Sequence, residues 1–246
     1  MPAKGVQVTH GTDIRIEGVR LALGDDPPVP VLGGVDLHVP AGTVAAIVGP
    51  SGCGKSTLLD VVAGLAAPDA GSITGADSVA LMPQRDALMP WLTLRANIAL
   101  GAELAGAPRD DADQRADEAI ARLGLTGFAD HYPHALSGGM RQRAALARTL
   151  LAARPAWLLD EPFGALDALT RTGMHHVLRD LMHEVRPTVL LVTHDIAEAV
   201  ALADRVLVAG ARPMTIVAEV GAGAGADPAQ TAEAVMSALR TVGALA

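Results

Sequence analysis

An α/β core interrupted by a helical insert is the fold class that this 246-residue sequence predicts, and three observations predict it. Short unbroken apolar runs rich in β-formers, such as residues 43 to 48, read as strands buried on both faces of a parallel sheet. The middle of the chain, roughly 94 to 153, changes to helical spacing. From "AWLLD" onward strand and helix patterns alternate again, as a layered α/β architecture requires.

Taken in order, "VLGGVDLHVPAGTVAAIVG" reads as strands punctuated by turns at Gly33-Gly34 and Pro40-Ala41-Gly42. A glycine-rich turn follows. The next helix begins near Lys55 and carries Leu58, Leu59, Val62 and Leu65 on one apolar stripe. "DSVALMPQ" supplies another strand. In the middle, "RDDADQRADEAIARLGL" has acids in its first turn, Ala116, Ile120 and Leu123 at helical spacing, and Gly124 near its end. "AWLLD", "TVLLVTH", "RVLVA" and "MTIVAEV" read as strands, and "DIAEAVALA" as a helix.

The "GAGAGA" at 221 to 226 is a flexible linker by composition. Asp227 and Pro228 then open a last helix whose weak stripe is Val235, Leu239 and Val242, suited to dock on the core or on a partner. The expected division is a core over 1–90, a helical subdomain over 91–150, the rest of the core over 151–220, and a linker with terminal helix over 221–246. No internal repeat is present.

Composition narrows the function. Hydrophobic residues make up 50% of the chain and charged residues 19%, so a folded core is expected. The net charge of -8 and pI near 5.4 disfavour binding to a nucleic-acid backbone or to anionic lipid heads. The single cysteine, Cys53, excludes an internal disulfide and any multi-cysteine zinc site, which fits a reducing cytosol. The opening "MPAKGVQVTH" has no apolar core of signal-peptide length, and no stretch approaches the roughly 18 apolar residues that span a bilayer. A protein soluble by itself is expected.

"GPSGCGKST" runs through Gly49, Pro50, Ser51, Gly52, Cys53, Gly54, Lys55, Ser56 and Thr57 and satisfies the P-loop pattern between a strand and a helix. Its glycines let backbone N–H groups converge on phosphate oxygens, aided by the positive end of the helix. Lys55 reaches the β and γ phosphates, and Ser56 holds Mg²⁺. Only two lysines occur among nineteen basic side chains, Lys4 and Lys55. A chain that otherwise prefers arginine keeps a compact point charge where a planar fork would fit badly.

Asp160 and Glu161 end the strand "AWLLD", at the edge where parallel sheets bind ligands. Asp160 suits the Mg²⁺ shell through water, and Glu161 is placed to take a proton from the attacking water. His194 closes "TVLLVTH" and projects toward the same edge, beside the γ-phosphate. The other seven histidines read as structural. "LSGGMRQR" repeats the logic of the cradle: Ser137, Gly138 and Gly139 open a helix whose first N–H groups lack internal partners.

With "GPSGCGKST", Gln84, "LSGGMRQR", "LLDEP", "ALD" at 165 to 167 and His194 in that order, the sequence resembles the ATP-binding cassette (ABC) family over about 14 to 215. The resemblance implies a RecA-like P-loop NTPase core with a mixed sheet, and an α-helical subdomain inserted between the glutamine loop and the Walker B strand. It implies ATP and Mg²⁺ as ligands. It also implies a head-to-tail dimer in which Ser137 and Gly139 of one subunit close on ATP held by the other; one chain carries two anion-binding helix ends but one P-loop. By the same resemblance Gln84 senses γ-phosphate and Mg²⁺, Asp160 belongs to the metal shell, Glu161 is the general base, His194 the switch histidine, and Asp167 communicates across the dimer. Met140 replaces the commoner glutamine of the signature.

"PWLT", "LSGGMRQR" and "DEPFGALDALTR" look like the ATPases of nitrate, sulfonate and taurine importers, and equally like those for thiamine-precursor pyrimidines. The implied place is the cytoplasmic face of a membrane, held through a permease, with an extracytoplasmic solute-binding protein as an indirect partner. Two features set further expectations. The family's adenine-stacking aromatic has no counterpart, since no aromatic precedes Trp91; Leu23 or a neighbour would supply apolar contact instead, with weak base discrimination. Trp91 itself stands in "QRDALMPWLT", and Leu88, Met89 and Trp91 fit a groove for a short permease helix. Against the rival readings, Ser56 and Ser137 lie only 81 positions apart, leaving no room for the long insertions of DNA-maintenance cassettes. The only asparagine, Asn97, stands in "ANI", so the N-K-x-D motif of guanine recognition is absent.

Overall fold

A computed structural model describes residues 11–241. In chain order its elements are β1 (Ile14–Leu23), β2 (Val29–Val39), β3 (Val44–Val48), α1 (Lys55–Val62), β4 (Ala70–Thr74), β5 (Val79–Met82), α2 (Leu94–Leu104), α3 (Arg109–Arg122), a 3-10 turn (Pro133–Ala135), α4 (Gly138–Leu151), β6 (Ala156–Asp160), α5 (Ala168–Val185), β7 (Thr188–Val192), α6 (Ile196–Leu202), β8 (Arg205–Ala209), β9 (Ile216–Gly221) and α7 (Pro228–Thr241).

The strands form two sheets. One has three strands in the antiparallel order β2-β1-β4. The other has six in the order β5-β6-β7-β3-β8-β9, parallel throughout except for β9, so the sheet is mixed as expected. The apolar runs explain its centre. All five residues of β3, β6 and β7 are buried, because both faces are covered.

The two-residue strand period then deals their side chains to opposite sides. Ala46, Val48, Trp157, Leu159, Val189 and Leu191 pack toward the helices, among them Ile98, Leu146 and Leu178. Ala45, Ile47, Leu158, Leu190 and Val192 pack toward α1 and the small sheet, against Ile14, Ile16, Leu58 and Leu59. The six-stranded sheet is the middle layer between two cores.

Four sequence expectations need correction. Gly33-Gly34 is not a turn: β2 runs through it, and the pairing with β1 slips there, Val19 facing Val35 while Arg20 faces Gly33. The glycine pair makes a bulge that bends one long strand. Leu65 does not join the apolar stripe, since α1 stops at Val62 and Leu65 is 70% exposed. The "GAGAGA" stretch is a turn fastened to the core: Gly221 ends β9, the Ala222 N–H donates to the Asp204 carbonyl, and the Ala226 N–H donates to the Gly223 carbonyl. The last helix is capped by Asp227 as read, with the Ala229 N–H on its carboxylate at 2.9 Å, and it docks on this chain's own core through Val235 and Leu239. Val242, Lys4 and the opening "MPAKGVQVTH" lie outside the described residues. The fourth correction concerns Leu88, which is buried in the helix-side core and cannot line an exposed groove.

Candidate active site

The C-terminal edge of the parallel strands brings the predicted residues together. Gly49 follows β3, Gln84 follows β5, Asp160 and Glu161 end and leave β6, and His194 follows β7. Because parallel strands all end on one side, four separate sequence segments meet there. Ser51, Gly52, Gly54, Lys55, Ser56, Thr57, Gln84 and Glu161 line one cavity of about 180 Å³. Clefts that enclose a drug-sized ligand usually hold about 300–1,000 Å³. The cavity is smaller than that range and lies open on this face.

The loop between β3 and α1 is shaped for anions. Gly54 precedes α1 at φ 126°, a conformation side-chain-bearing residues rarely adopt, and no side chain caps the helix, so its first N–H groups are free for a ligand. Lys55 is buried, and its Nζ donates to the carbonyls of Gly49 and Pro50, both at 2.9 Å. Cys53 faces the core, leaving only its backbone for a ligand.

Asp160 is 5% exposed and its Oδ1 has no hydrogen-bond partner. Burial raises its pKa, with the charges of Glu161 and Asp60 acting the same way; the Ser56 hydroxyl and the Lys55 charge oppose the shift. A buried carboxylate oxygen without a partner beside the Ser56 hydroxyl is the donor set that a divalent cation takes.

Glu161 gathers three neighbours. Gln84 Nε2 donates to its Oε2 at 3.1 Å, and His194 Nδ1 stands 3.3 Å from its Oε1. Its backbone turns into the left-handed region at φ 47°, held there by its N–H on the Val192 carbonyl at 2.8 Å. Strain of this kind persists only where neighbours over-determine it.

Gln142 is one such neighbour, and sequence reasoning gave it no role. From α4 its Nε2 donates to the Glu161 carbonyl and its Oε1 accepts from the Ala165 N–H, each at 2.7 Å. The signal was available: Gln142 shares the buried face of α4 with Ala145 and Thr149, where a polar side chain must be paired.

Two more residues were missed. Arg212, in the β8–β9 loop, donates to the Gly52 carbonyl at 2.6 Å and lines the phosphate-loop cavity. Glu198 is 3% exposed and shares a small pocket with Glu161 and His194. Burial pushes its pKa up to about 7, the Asp195 charge adds to this, and a hydrogen bond from Thr193 and the charge of Arg171 oppose it.

Ser137, Gly138, Gly139 and Asp167 do not line the phosphate-loop cavity. Ser137 caps α4, its Oγ accepting from the Met140 N–H at 3.2 Å, and stays exposed. Asp167 caps α5, accepting from the N–H and hydroxyl of Thr170 at 3.0 and 2.8 Å; these bonds hold its carboxyl below the usual range.

The segment after Gln84 is fastened at both ends. Asp86 pairs with Arg141 of α4 at 2.9 Å, and Arg148 donates to the carbonyls of Ala87 and Asp86. Asn97 of α2 accepts from the Met89 N–H at 2.7 Å and donates to the carbonyls of Met89, Leu92 and Thr93, each at 3.1 Å. Between these fixings Trp91 is 71% exposed and Met89 partly so.

Known proteins resemble this chain in sequence and in fold. The family profile described as "ABC transporter" matches residues 32–164. The aliphatic sulfonates import ATP-binding protein SsuB of Rhodopseudomonas palustris is 47% identical over 81% of this chain and 72% of its own length. The protein of the same name from Pseudomonas putida is 47% identical over 82% of this chain and 74% of its own. Among solved structures, the dimeric ATP-binding cassette MJ0796 bound to ADP and Pi superposes with a TM-score of 0.78, at 28% identity, over 86% of this chain and 99% of that one.

Proposed function

This chain belongs to the ABC transporter family, and from that premise we propose that it is the ATP-binding and ATP-hydrolysing subunit of an importer, powering uptake of a small solute through a separate membrane permease. The observation that carries the enzymatic part is the Glu161 carboxylate, gathered with Gln84 and His194 on the edge that presents the phosphate loop. The importer assignment rests on the relatives, whose names favour an aliphatic sulfonate over a heterocyclic thiamine precursor as the solute class. Purification from membranes under mild detergent tests it: co-isolation with a polytopic membrane protein is expected, and association with ribosomes instead would sink the transport reading.

In the mechanism that this supports, backbone N–H groups of the loop from Gly49 to Thr57 and the Lys55 ammonium hold the phosphates. Glu161 takes the proton of the attacking water, while Gln84 and His194 orient that water and the terminal phosphate. Ser56, Gln84 and Asp160 would hold Mg²⁺, which when bound offsets phosphate charge; the unpartnered Oδ1 of Asp160 fits that role. Ser137, Gly138 and Gly139 of a second copy cover the ligand in a head-to-tail dimer, for which the shallow cavity and the exposed Ser137 leave room. Asp167, exposed at the start of α5, is suited to carry communication between the two copies.

For the base, Leu23 offers an exposed apolar surface and no aromatic precedes Trp91, so discrimination rests on weak contacts. GTP is expected to compete with ATP to within roughly tenfold, since a missing stacking partner forfeits about 0.5–1.5 kcal/mol. A strong ATP preference in a competition assay would refute this.

No helix among the described residues is long and apolar enough to cross a membrane. The permease contact is assigned to Trp91 with Met89, and this contact would hold the chain at the cytoplasmic face of the membrane, a solute-binding protein being reached only indirectly. Trp91→Ala is expected to weaken co-purification with the permease or to uncouple hydrolysis from uptake, with ATP affinity unchanged. Loss of folding in that variant would mean that Trp91 serves the fold instead.

A further inference from the structure

The β8–β9 loop brings a guanidinium to the outer lip of the phosphate loop. Arg212 Nη2 donates to the Gly52 carbonyl at 2.6 Å, and the side chain lines the same cavity as Ser51, Gly54 and Lys55. The segment that carries it is fastened on both sides. The Gly210 N–H donates to the Thr215 carbonyl at 3.0 Å and closes the hairpin. The Met214 N–H donates to the Val31 carbonyl and the Gly33 N–H to the Met214 carbonyl, each at 2.8 Å, while the Met214 side chain is buried in the core. Arg212 itself is exposed between these anchors, and among the described residues it has no carboxylate partner.

The order of the strands decides which end of a nucleotide this arginine meets. β3, which leads into the phosphate loop, has β7 and β6 on one side and β8 on the other. Glu161 and His194 follow β6 and β7, so a terminal phosphate within their reach lies on that side. The nucleoside, at the far end of the phosphate chain, then extends toward β8 and its loop. β2 borders the phosphate loop as well, since a Cβ on Gly54 would stand 3.0 Å from Val31 Cγ1.

Lys55 is buried and serves the phosphates together with the backbone N–H groups, whereas Arg212 stands exposed at the rim. A purine at that rim is best held by a flat partner, and no aromatic residue precedes Trp91 to supply one. A guanidinium is planar, always charged and weakly hydrated, and it stacks on aromatic faces.

We propose that Arg212 is the base-stacking residue of this nucleotide site: its guanidinium, steadied by the Gly52 carbonyl, lies flat on the purine of the bound nucleotide. This role rests on the reading of the chain as an ATP-binding subunit. A guanidinium face takes adenine and guanine alike, so the contact adds affinity without choosing the base.

Equilibrium binding of ADP, GDP and pyrophosphate to the full chain and to its Arg212→Ala variant tests this without turnover. At about 1 M salt, screening removes the long-range pull of the arginine on the phosphates, whereas a stack at contact distance persists. Arg212→Ala is then expected to weaken ADP and GDP alike by about two- to fivefold, the range for an exposed cation on a ring, and to leave pyrophosphate unchanged. In the unaltered chain, magnetic resonance should show contacts between the adenine H2 or H8 of bound ADP and the Cδ protons of Arg212. That reading needs no variant to fold and would not arise from a purely structural arginine.

An equal loss for all three ligands would overturn the stack and place Arg212 on the phosphates. Unchanged binding of ADP and GDP by the variant, or bound ADP without those proton contacts, would overturn the stack alone. If the unaltered chain bound none of the three, the nucleotide-binding reading would fall and this role with it.

Discussion

Replacing Glu161 by Gln is expected to leave ATP bound and to slow its hydrolysis roughly 10²- to 10⁴-fold, the usual contribution of a positioned general base. The substitution keeps the size of the side chain and an oxygen that can still accept from Gln84 Nε2, now 3.1 Å away. What it removes is the capacity to take a proton. Lys55 and the backbone groups of the phosphate loop are untouched, so affinity should survive. Measuring phosphate release beside equilibrium nucleotide binding separates the two. Near-normal turnover would move the base elsewhere, and His194, 3.3 Å from the same carboxylate, would be the next residue to replace.

A large stability effect is expected at Gly101. On α2, a Cβ at this position would stand 2.0 Å from the carbonyl oxygen of Arg148 and 3.2 Å from the nitrogen of Ala152, both backbone atoms of α4 or its cap. Two opposing effects act on Gly101→Ala. Helix propensity alone would favour alanine by about 0.8–1.0 kcal/mol. Overpacking against a backbone that no rotamer change can relieve costs roughly 1–3 kcal/mol, occasionally more, and a 2.0 Å approach belongs at the upper end. A net loss of about 2 kcal/mol would lower the melting temperature by roughly 4–8 °C in a chain of this size. A thermal unfolding scan decides by sign: a higher melting temperature would mean that α2 and α4 do not touch backbone to backbone.

The same substitution bears on function. Pushing α4 away from α2 moves Arg148, whose guanidinium holds the carbonyls of Asp86 and Ala87. The helix packing that sets stability thus also sets the strap that leads from Gln84 to Trp91.

How much of this was legible in the sequence depended on whether a signal was local. The phosphate loop, the carboxylates after β6 and the histidine after β7 are written as short patterns at strand ends, and parallel topology then gathers any such patterns at one edge. Gln142 and Arg212 were not legible in that way. Gln142 acts through a backbone carbonyl 19 positions along the chain, and Arg212 reaches Gly52 from 160 positions away, so neither leaves a trace in spacing. Glu198 sits where an amphipathic helix pattern admits a polar residue, and its burial is set by the fold rather than by its spacing. The errors at Gly33-Gly34 and "GAGAGA" share one cause. Glycine announces backbone freedom, whereas pairing partners decide whether that freedom becomes a turn, a bulge or a fastened loop.

Asn97 gives the exposed tryptophan a thermodynamic setting. Ordering a loop costs about 1–2 kcal/mol of conformational entropy per residue. One buried carboxamide, accepting from the Met89 N–H and sharing its two Nδ2–H groups among the carbonyls of Met89, Leu92 and Thr93, holds the backbone from Met89 to Thr93 before any partner arrives. That cost is met when the chain folds, with the free energy of folding. A partner helix docking at Trp91 as proposed would therefore meet a preorganised backbone, and the contact area it buries would go into residence time rather than into freezing a mobile loop.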